Sequence, residues 1–433
     1  MAVTAVDESS FPPLVLVRQP FSKAAPVDFE AAVDEGLSRL PALAGRRIAV
    51  GVGSRGISNL TRAVGALLAG LRARGALPFL VPAMGSHGGA TPEGQRGVLA
   101  HYGLTEASLN APVVDSLDVD ELGRTTNDMP VFFSRAAREA DGIIVVNRIK
   151  PHTDFRGAFG SGLVKMLVVG LGKHRGAGTL HRAAARFGHE PVMREALRVI
   201  LEHTPVLGGL GLLENARHDT QHVEFVPAAA LAEREAVLVK QAHAQMARLP
   251  FETLDFLVVD RIGKELSGTG MDPNVVGRGV NGYISALSHV PDYRPVIRRI
   301  FVRDLSEETH GNASGIGMAD FTTQRLVDAI DRHVTFTNSL TSLSLQSSKI
   351  PMHFPSDRAA IAAALSTLGV PLEQARVARI RDTLHLEVLA ASEAALADTP
   401  GLERLGPASA WAFDAEGNLP PLSVVAPPAR EAS

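Results

Sequence analysis

IAVGVGSRGISN, residues 48–59, sets Gly51, Gly53 and Gly56 directly after an apolar run. The spacing G-x-G-x-x-G between a strand and a helix is a Rossmann-type strand–turn–helix pattern. RRIAVGV reads as the strand. NLTRAVGALLAGLRARG reads as an amphipathic helix closed by Gly75. The pattern continues outward. ALPFLVPA is a second strand, MGSHGGAT a glycine-rich loop, and Thr91-Pro92-Glu93 a helix start with threonine as cap and proline in the first turn. DGIIVVNRI is a near-continuous apolar run, as a strand buried on both faces requires. A long glycine-rich loop then runs into the helix around LHRAAARFG. Strands alternating with helices predict an α/β fold, with an N-terminal Rossmann-like parallel sheet carrying helices on both faces.

The helical stretch PAAALAEREAVLVKQAHAQMARL ends at Pro250, and FETLDFLVVDRIG begins a new strand. The chain is therefore expected to divide into 1–250, a cofactor-binding and catalytic domain, and 251–433, a C-terminal α/β domain that closes over the substrate, with the active site in the cleft between them. ARVARIRDTLHLEVLAA reads as further strands, and the last residues, rich in Pro, Ala and Gly, as a loosely held tail.

The glycine pattern lacks one part of a dinucleotide site. Such a site places an acid at the end of the second strand, about 20 residues on, to hold the ribose hydroxyls. Here that strand ends Phe79-Leu80-Val81-Pro82-Ala83. The loop presents Ser54 and Arg55 instead, and an arginine beside a helix N-terminus suits a carboxylate or phosphate.

Composition narrows the classes. With 45% hydrophobic and 21% charged residues and a net charge of −3, the 433-residue chain has the makeup of a globular protein with no polybasic field for nucleic acid or an anionic membrane. No apolar run approaches the roughly 20 residues of a membrane helix. MAVTAVDESSFPP shows no secretion signal, so a cytoplasmic placement is expected. The absence of cysteine removes disulfides, thiolate ligands and a cysteine nucleophile. Only seven of the 43 basic residues are lysines, at 23, 150, 165, 173, 240, 264 and 349. Lysine, unlike arginine, can lose its proton and attack a carbonyl or thioacid carbon.

Three loops at carboxyl ends of first-domain strands carry reactive residues: Ser54-Arg55, Gly85-Ser86-His87-Gly88-Gly89, and Lys150-Pro151-His152-Thr153-Asp154. Such loops converge on one crevice of an open parallel sheet. His87 and His152 on opposite sides of a small substrate would form the acid–base pair that inversion of a stereocentre needs. Lys165 lies in GSGLVKM, after Gly162, and His181 follows it by sixteen residues. Glycines 176 and 178 argue against one helix reaching back from His181 to His174. No H-E-x-x-H occurs, and GLGKHR fails the P-loop pattern.

Taken together, residues 45–190 resemble the lactate racemase family, whose enzymes use a tethered nickel-pincer nucleotide. The resemblance implies that Arg55 holds the substrate carboxylate and that His87, in GSHGGAT, and His152, in IKPHTDF, are the catalytic acid/bases. It implies that Lys165 is joined to the cofactor through a thioamide, with Ser54 and Gly162 as further cofactor contacts, and that His181 ligates nickel. The cofactor would be pyridinium-3-thioamide-5-thiocarboxylic acid mononucleotide nickel, supplied by separate biosynthetic enzymes. The reaction implied is racemisation or epimerisation of a 2-hydroxy acid, in which the Cα hydride passes to the cofactor and returns to the other face. There are departures. The segment before the lysine reads RGAFGSGLVK, with about three extra residues after His152, and Val52 stands where lactate racemases place an aspartate. These differences leave lactate itself, a larger 2-hydroxy acid and a sugar acid all open as substrates. Lys264, in RIGKELSGTG, is the candidate second carboxylate contact. His310, Asn312 and Asp320 are further second-domain candidates, and Asp272 reads as a helix cap. The alternatives are an NAD-dependent dehydrogenase, resting on the glycine pattern, and a non-catalytic carboxylate- or nucleotide-binding protein.

Overall fold

A computed structural model of the chain describes residues 6–53, 56–85, 87–153, 157–279 and 294–422. It divides into two compact units, Ser22–Met246 and Met1–Phe21 with Ala247–Ser433. The sequence pattern assigned the first 21 residues to the N-terminal domain. Their strand β1 (Leu14–Arg18) instead pairs with strands from the end of the chain. A lone strand must find partners for its backbone groups, and an open sheet edge supplies them.

In the unit Ser22–Met246, α1 (Phe29–Ser38), β2 (Arg47–Val52), α2 (Leu60–Ala73), β3 (Leu77–Pro82), α3 (Pro92–His101) and the short α4 (Glu106–Leu109) come first. β4 (Val119–Arg124) and β5 (Pro130–Ser134) form a separate antiparallel ribbon. α5 (Arg135–Arg138) leads into β6 (Gly142–Arg148). Then follow the single turn α6 (Leu163–Lys165), a π-helical turn (Met166–Gly170), α7 (Lys173–Phe187), α8 (His189–His203), β7 (Val206–Glu214), β8 (Thr220–Pro227) and α9 (Leu231–Gln245).

The sheet runs β3–β2–β6–β7–β8, parallel except for the antiparallel edge strand β8. Side chains alternate between its faces. Ile48, Val50 and Val52 share one core with α1 and α2, through Val33, Leu37, Val64 and Leu67. Ala49, Ile143 and Val145 face the other way, toward Leu163, Leu167, Met193, Leu197 and Leu238. α3 begins as expected, with the Thr91 hydroxyl accepting the Gly94 N–H at 3.0 Å. α7 departs from expectation, because it includes Gly176 and Gly178 and reaches His174. A Cβ on Gly176 would lie 3.3 Å from the Phe132 carbonyl oxygen. That close packing of helix on ribbon outweighs the ~1 kcal/mol helix penalty of glycine. His174 itself is exposed.

The other unit contains β9 (Thr253–Ile262), α10 (Pro273–Val276), β10 (Val296–Leu305), β11 (Phe321–Thr323), α11 (Gln324–Asp328), α12 (Arg332–Thr341), β12 (Met352–Phe354), α13 (Asp357–Leu365), β13 (Val377–Ile380), β14 (Val388–Ser392), α14 (Glu393–Leu396) and β15 (Glu403–Arg404). They form one sheet in the order β12–β11–β10–β9–β13–β14–β1–β15. The strands from β12 to β13 are parallel and the rest antiparallel. Asp272 caps α10 by accepting the Asn274 N–H.

Buried charges tie this sheet together. Arg379 forks onto Asp260 at 2.8 and 2.9 Å. Arg303 donates to Asp357 at 2.7 Å. The same two aspartates accept the backbone N–H groups of Leu422 and Leu419. The end of the described chain is therefore fastened by buried carboxylates, where its composition had suggested a loose tail. Removing one partner leaves the other charge buried alone. Asp357→Ala is expected to cost about 3–5 kcal/mol in urea unfolding. Glu35→Ala, which breaks an exposed pair with Arg39, should cost under about 1 kcal/mol.

Candidate active site

Strands β2, β3 and β6 are parallel, with Val52 opposite both Pro82 and Val146. Their carboxyl ends therefore lie along one edge of the sheet, and the three loops singled out in the sequence leave from it. Ser54 and Arg55 lie outside the described residues. The glycines beside them have protein neighbours. A Cβ on Gly53 would lie 3.0 Å from the Met166 sulfur and 3.2 Å from Asn147 Oδ1, and one on Gly51 3.0 Å from Val145 Cγ1. Close packing of side chains from β6 and the π-helical turn accounts for both.

The loop after β3 carries His87, which is exposed. Gln95 of α3, fully buried, holds this loop by donating to the carbonyls of Gly85 at 3.1 Å and His87 at 3.3 Å. Gly85 N–H donates to Gly170 O at 3.1 Å, joining the loop to the π-helical turn. The buried amine of Lys173 donates to Pro82 O at 2.7 Å, and burial draws its pKa down to about 8. That bond helps hold Lys173 at a φ of 55°, an unusual backbone for a side chain other than glycine.

The loop after β6 folds back on itself. Lys150 and Ser161 exchange backbone hydrogen bonds at 3.2 and 2.8 Å. Gly160 permits this, since a Cβ there would lie 2.0 Å from Lys150 O. The exchange lays His152 beside the turn that carries Lys165, and Lys165 Nζ comes 2.8 Å from His152 Nε2. The ammonium can only donate, so Nε2 is the acceptor and the ring proton sits on Nδ1. Lys165 leads directly into the π-helical turn, a feature frequent at functional sites.

Two more imidazoles complete the cluster. His189, the first residue of α8, stacks on His152 with ring centroids 6.3 Å apart and meets His181 of α7 edge-on at 6.2 Å. Burial, aided by the Lys165 charge, pushes the His152 pKa well below its ordinary value. Burial first and then Lys165 take His181 to about 4, while burial, His181 and Lys165 take His189 to about 4. At neutral pH these three rings are therefore uncharged.

His152, Lys165 and His181 are thus gathered as three of the residues read from the sequence. His189, Gln95, Asn147 and the buried Glu235 were missed there. His189 carried a faint signal, a histidine after the helix-ending Gly188. Gln95 and Glu235 carried none, because their roles come from distant backbone. Lys264 lies in the other unit, where its amine donates to Gly268 O at 2.6 Å and Asn338 Oδ1 at 3.1 Å. Asp320 there pairs with Arg278 at 2.8 Å, and Asn312 Oδ1 accepts the Ser314 hydroxyl at 2.7 Å. Among the described residues, no three His, Asp or Glu side chains are grouped to hold a metal ion.

Residues 55–190 match the family of lactate racemase N-terminal domains. His87, His152, Gly162, Lys165, His181 and His189 all fall within this lactate racemase match, and Glu235 lies beyond it. The lactate racemase apoprotein from Thermoanaerobacterium thermosaccharolyticum is a structural relative at 13% identity and a TM-score of 0.46, over 81% of this chain and 84% of that one. No curated protein matches significantly. No described helix is long and apolar enough to cross a membrane.

Proposed function

We propose that the protein is a racemase or epimerase of a 2-hydroxy acid that works with a nickel-pincer nucleotide attached at Lys165. The observation that carries this reading is the 2.8 Å approach of the Lys165 amine to His152, beside two further neutral histidines, inside the lactate racemase match.

The residues fit the group. Lys165 offers an amine for a thioamide bond. His181 offers an uncharged ring nitrogen at neutral pH, the form in which imidazole binds metal. With no cysteine in the chain and no preformed three-residue metal cluster among the described residues, the remaining metal donors would come with the nucleotide. When bound, the group supplies a hydride acceptor and donor for the substrate Cα.

The chain supplies the proton chemistry. His152 Nε2 is an acceptor, placed to take the substrate hydroxyl proton as general base. Attachment at Lys165 removes the amine's positive charge, the second largest influence holding the His152 pKa down. His87 serves as the second acid/base from the loop after β3, and Arg55 contacts the substrate carboxylate. The loading enzymes are partners, and a cytoplasmic location fits an intracellular cofactor supply.

The test is peptide mass spectrometry across Lys165, with nickel analysis, on protein co-expressed with the cofactor-making enzymes. A nucleotide adduct on Lys165 and about one nickel per chain is the expected result. An unmodified lysine, with a lactate racemase loaded in parallel as control, would overturn the reading.

A further inference from the structure

Glu235 sits in the middle of α9, fully buried, 71 residues from the turn it touches. Its Oε2 accepts the Val164 N–H at 2.8 Å, and its carboxylate also takes the Leu163 N–H. These are the first free amides of the single turn that ends at Lys165. The turn continues into the π-helical turn at Met166, but its first amides have no helical partner of their own. The turn therefore depends on what holds its ends.

The carboxyl group also fits against the α-carbon of Gly162. A Cβ there would lie 2.4 Å from Oε1 and 2.6 Å from Cδ. Asn147 of β6 also donates to Gly162 O at 3.2 Å. The backbone from Gly162 to Val164 is thus gripped from β6 and from α9 immediately before Lys165. The grip carries a cost. Oε1 is buried with no hydrogen-bond partner, and burial raises the Glu235 pKa to about 8. An apolar side chain would fill the same space without that penalty, but would leave two buried amides unpaired.

We propose that Glu235 is a positioning residue for Lys165, clamping the 162–164 backbone so that the amine is delivered to His152. The proposal deepens the reading of Lys165 as the attachment residue and rests on it for its meaning, while its test does not.

The test labels the purified chain with N-hydroxysuccinimidyl acetate and reads acetylation of Lys165, by peptide mass spectrometry, against the exposed Lys23 and Lys349 in the same digest. Glu235→Gln keeps an acceptor and is expected to leave the Lys165 ratio within about twofold of wild type. Glu235→Met keeps the volume without the acceptor and is expected to shift the ratio at least about fivefold. His152→Ala should shift the wild-type ratio as well, yet change nothing further in the Glu235→Met chain, because the amine has already left the imidazole. Gly162→Ala, whose methyl would displace the carboxyl, should mimic Glu235→Met and serves if that variant fails to fold. An unchanged Lys165 ratio in folded Glu235→Met or Gly162→Ala overturns the proposal. So does a His152→Ala effect that multiplies in full. Labelling that follows the expectation, on a chain whose Lys165 never takes a nucleotide, would overturn the cofactor reading and leave the clamp standing.

Discussion

Replacing His152 with alanine is expected to leave the nucleotide adduct on Lys165 intact and to lower turnover of a 2-hydroxy acid by about 10²–10⁴-fold, the usual contribution of a positioned acid or base. His87→Ala is expected to behave the same way, since the proposed scheme assigns one base to each face of the substrate. Lys165→Ala should lose adduct and turnover together. The distinction separates attachment from proton transfer. It is read by pairing the intact mass of each variant with interconversion of enantiomers across a panel of 2-hydroxy acids, including sugar acids. Full activity in either histidine variant would sink the two-base scheme. The reason to expect a large effect at His152 is geometric. Its Nε2 is already an acceptor at 2.8 Å, and a water molecule in its place would not be held in that orientation.

Acid should unfold the chain carrying no cofactor through the same cluster. His181 and His189 have pKa values of about 4 in the folded protein, chiefly through burial. In the unfolded chain they return to about 6.5. The unfolded state then binds more protons between these values. Stability is fully present above pH 6.5 and is lost as the pH falls toward 4, by about 3 kcal/mol for each ring. Glu235 acts in the opposite sense. Burial raises its pKa to about 8 from an unfolded value near 4.3, so its share of stability is present at low pH and is lost as the pH rises through 8. The net result is a stability maximum near neutrality. Urea titrations across pH 4.5–8.5 should show His189→Gln flattening the acid limb and Glu235→Gln flattening the alkaline limb. Slopes identical to wild type on both limbs would contradict this account.

Each alternating run in the N-terminal half became an element close to its expected bounds: β2, α2, β3, α3, β6 and α9. These are the segments where burial on both faces, or on one helical stripe, writes itself directly into residue order. Where glycine was read by propensity alone, at 176 and 178, the reading failed, because propensity is worth little beside a packed contact. The N-terminal strand went unread, and the fastening of residues 419–422 was not foreseen, for a related reason. β1 finds its pairing with residues near 390 and 404, and Leu419 and Leu422 find theirs with Asp357 and Asp260. A short stretch of sequence carries no mark of a partner far away along the chain.

The site divides along the same line. Local order marked the candidate residues, namely a lysine in an arginine-rich chain, histidines in glycine-rich loops at strand ends, and their sequence in the chain. Tertiary structure decided which of them meet. The 2.8 Å contact of Lys165 with His152 needs the Lys150–Ser161 exchange, the bare Gly160 and Gly162, and the grips of Asn147 and Glu235. His189 joins only because α7 and α8 turn back on each other at Gly188. The depressed histidine pKa values follow from that enclosure, since desolvation is a property of everything packed around a ring and of none of its neighbours in sequence.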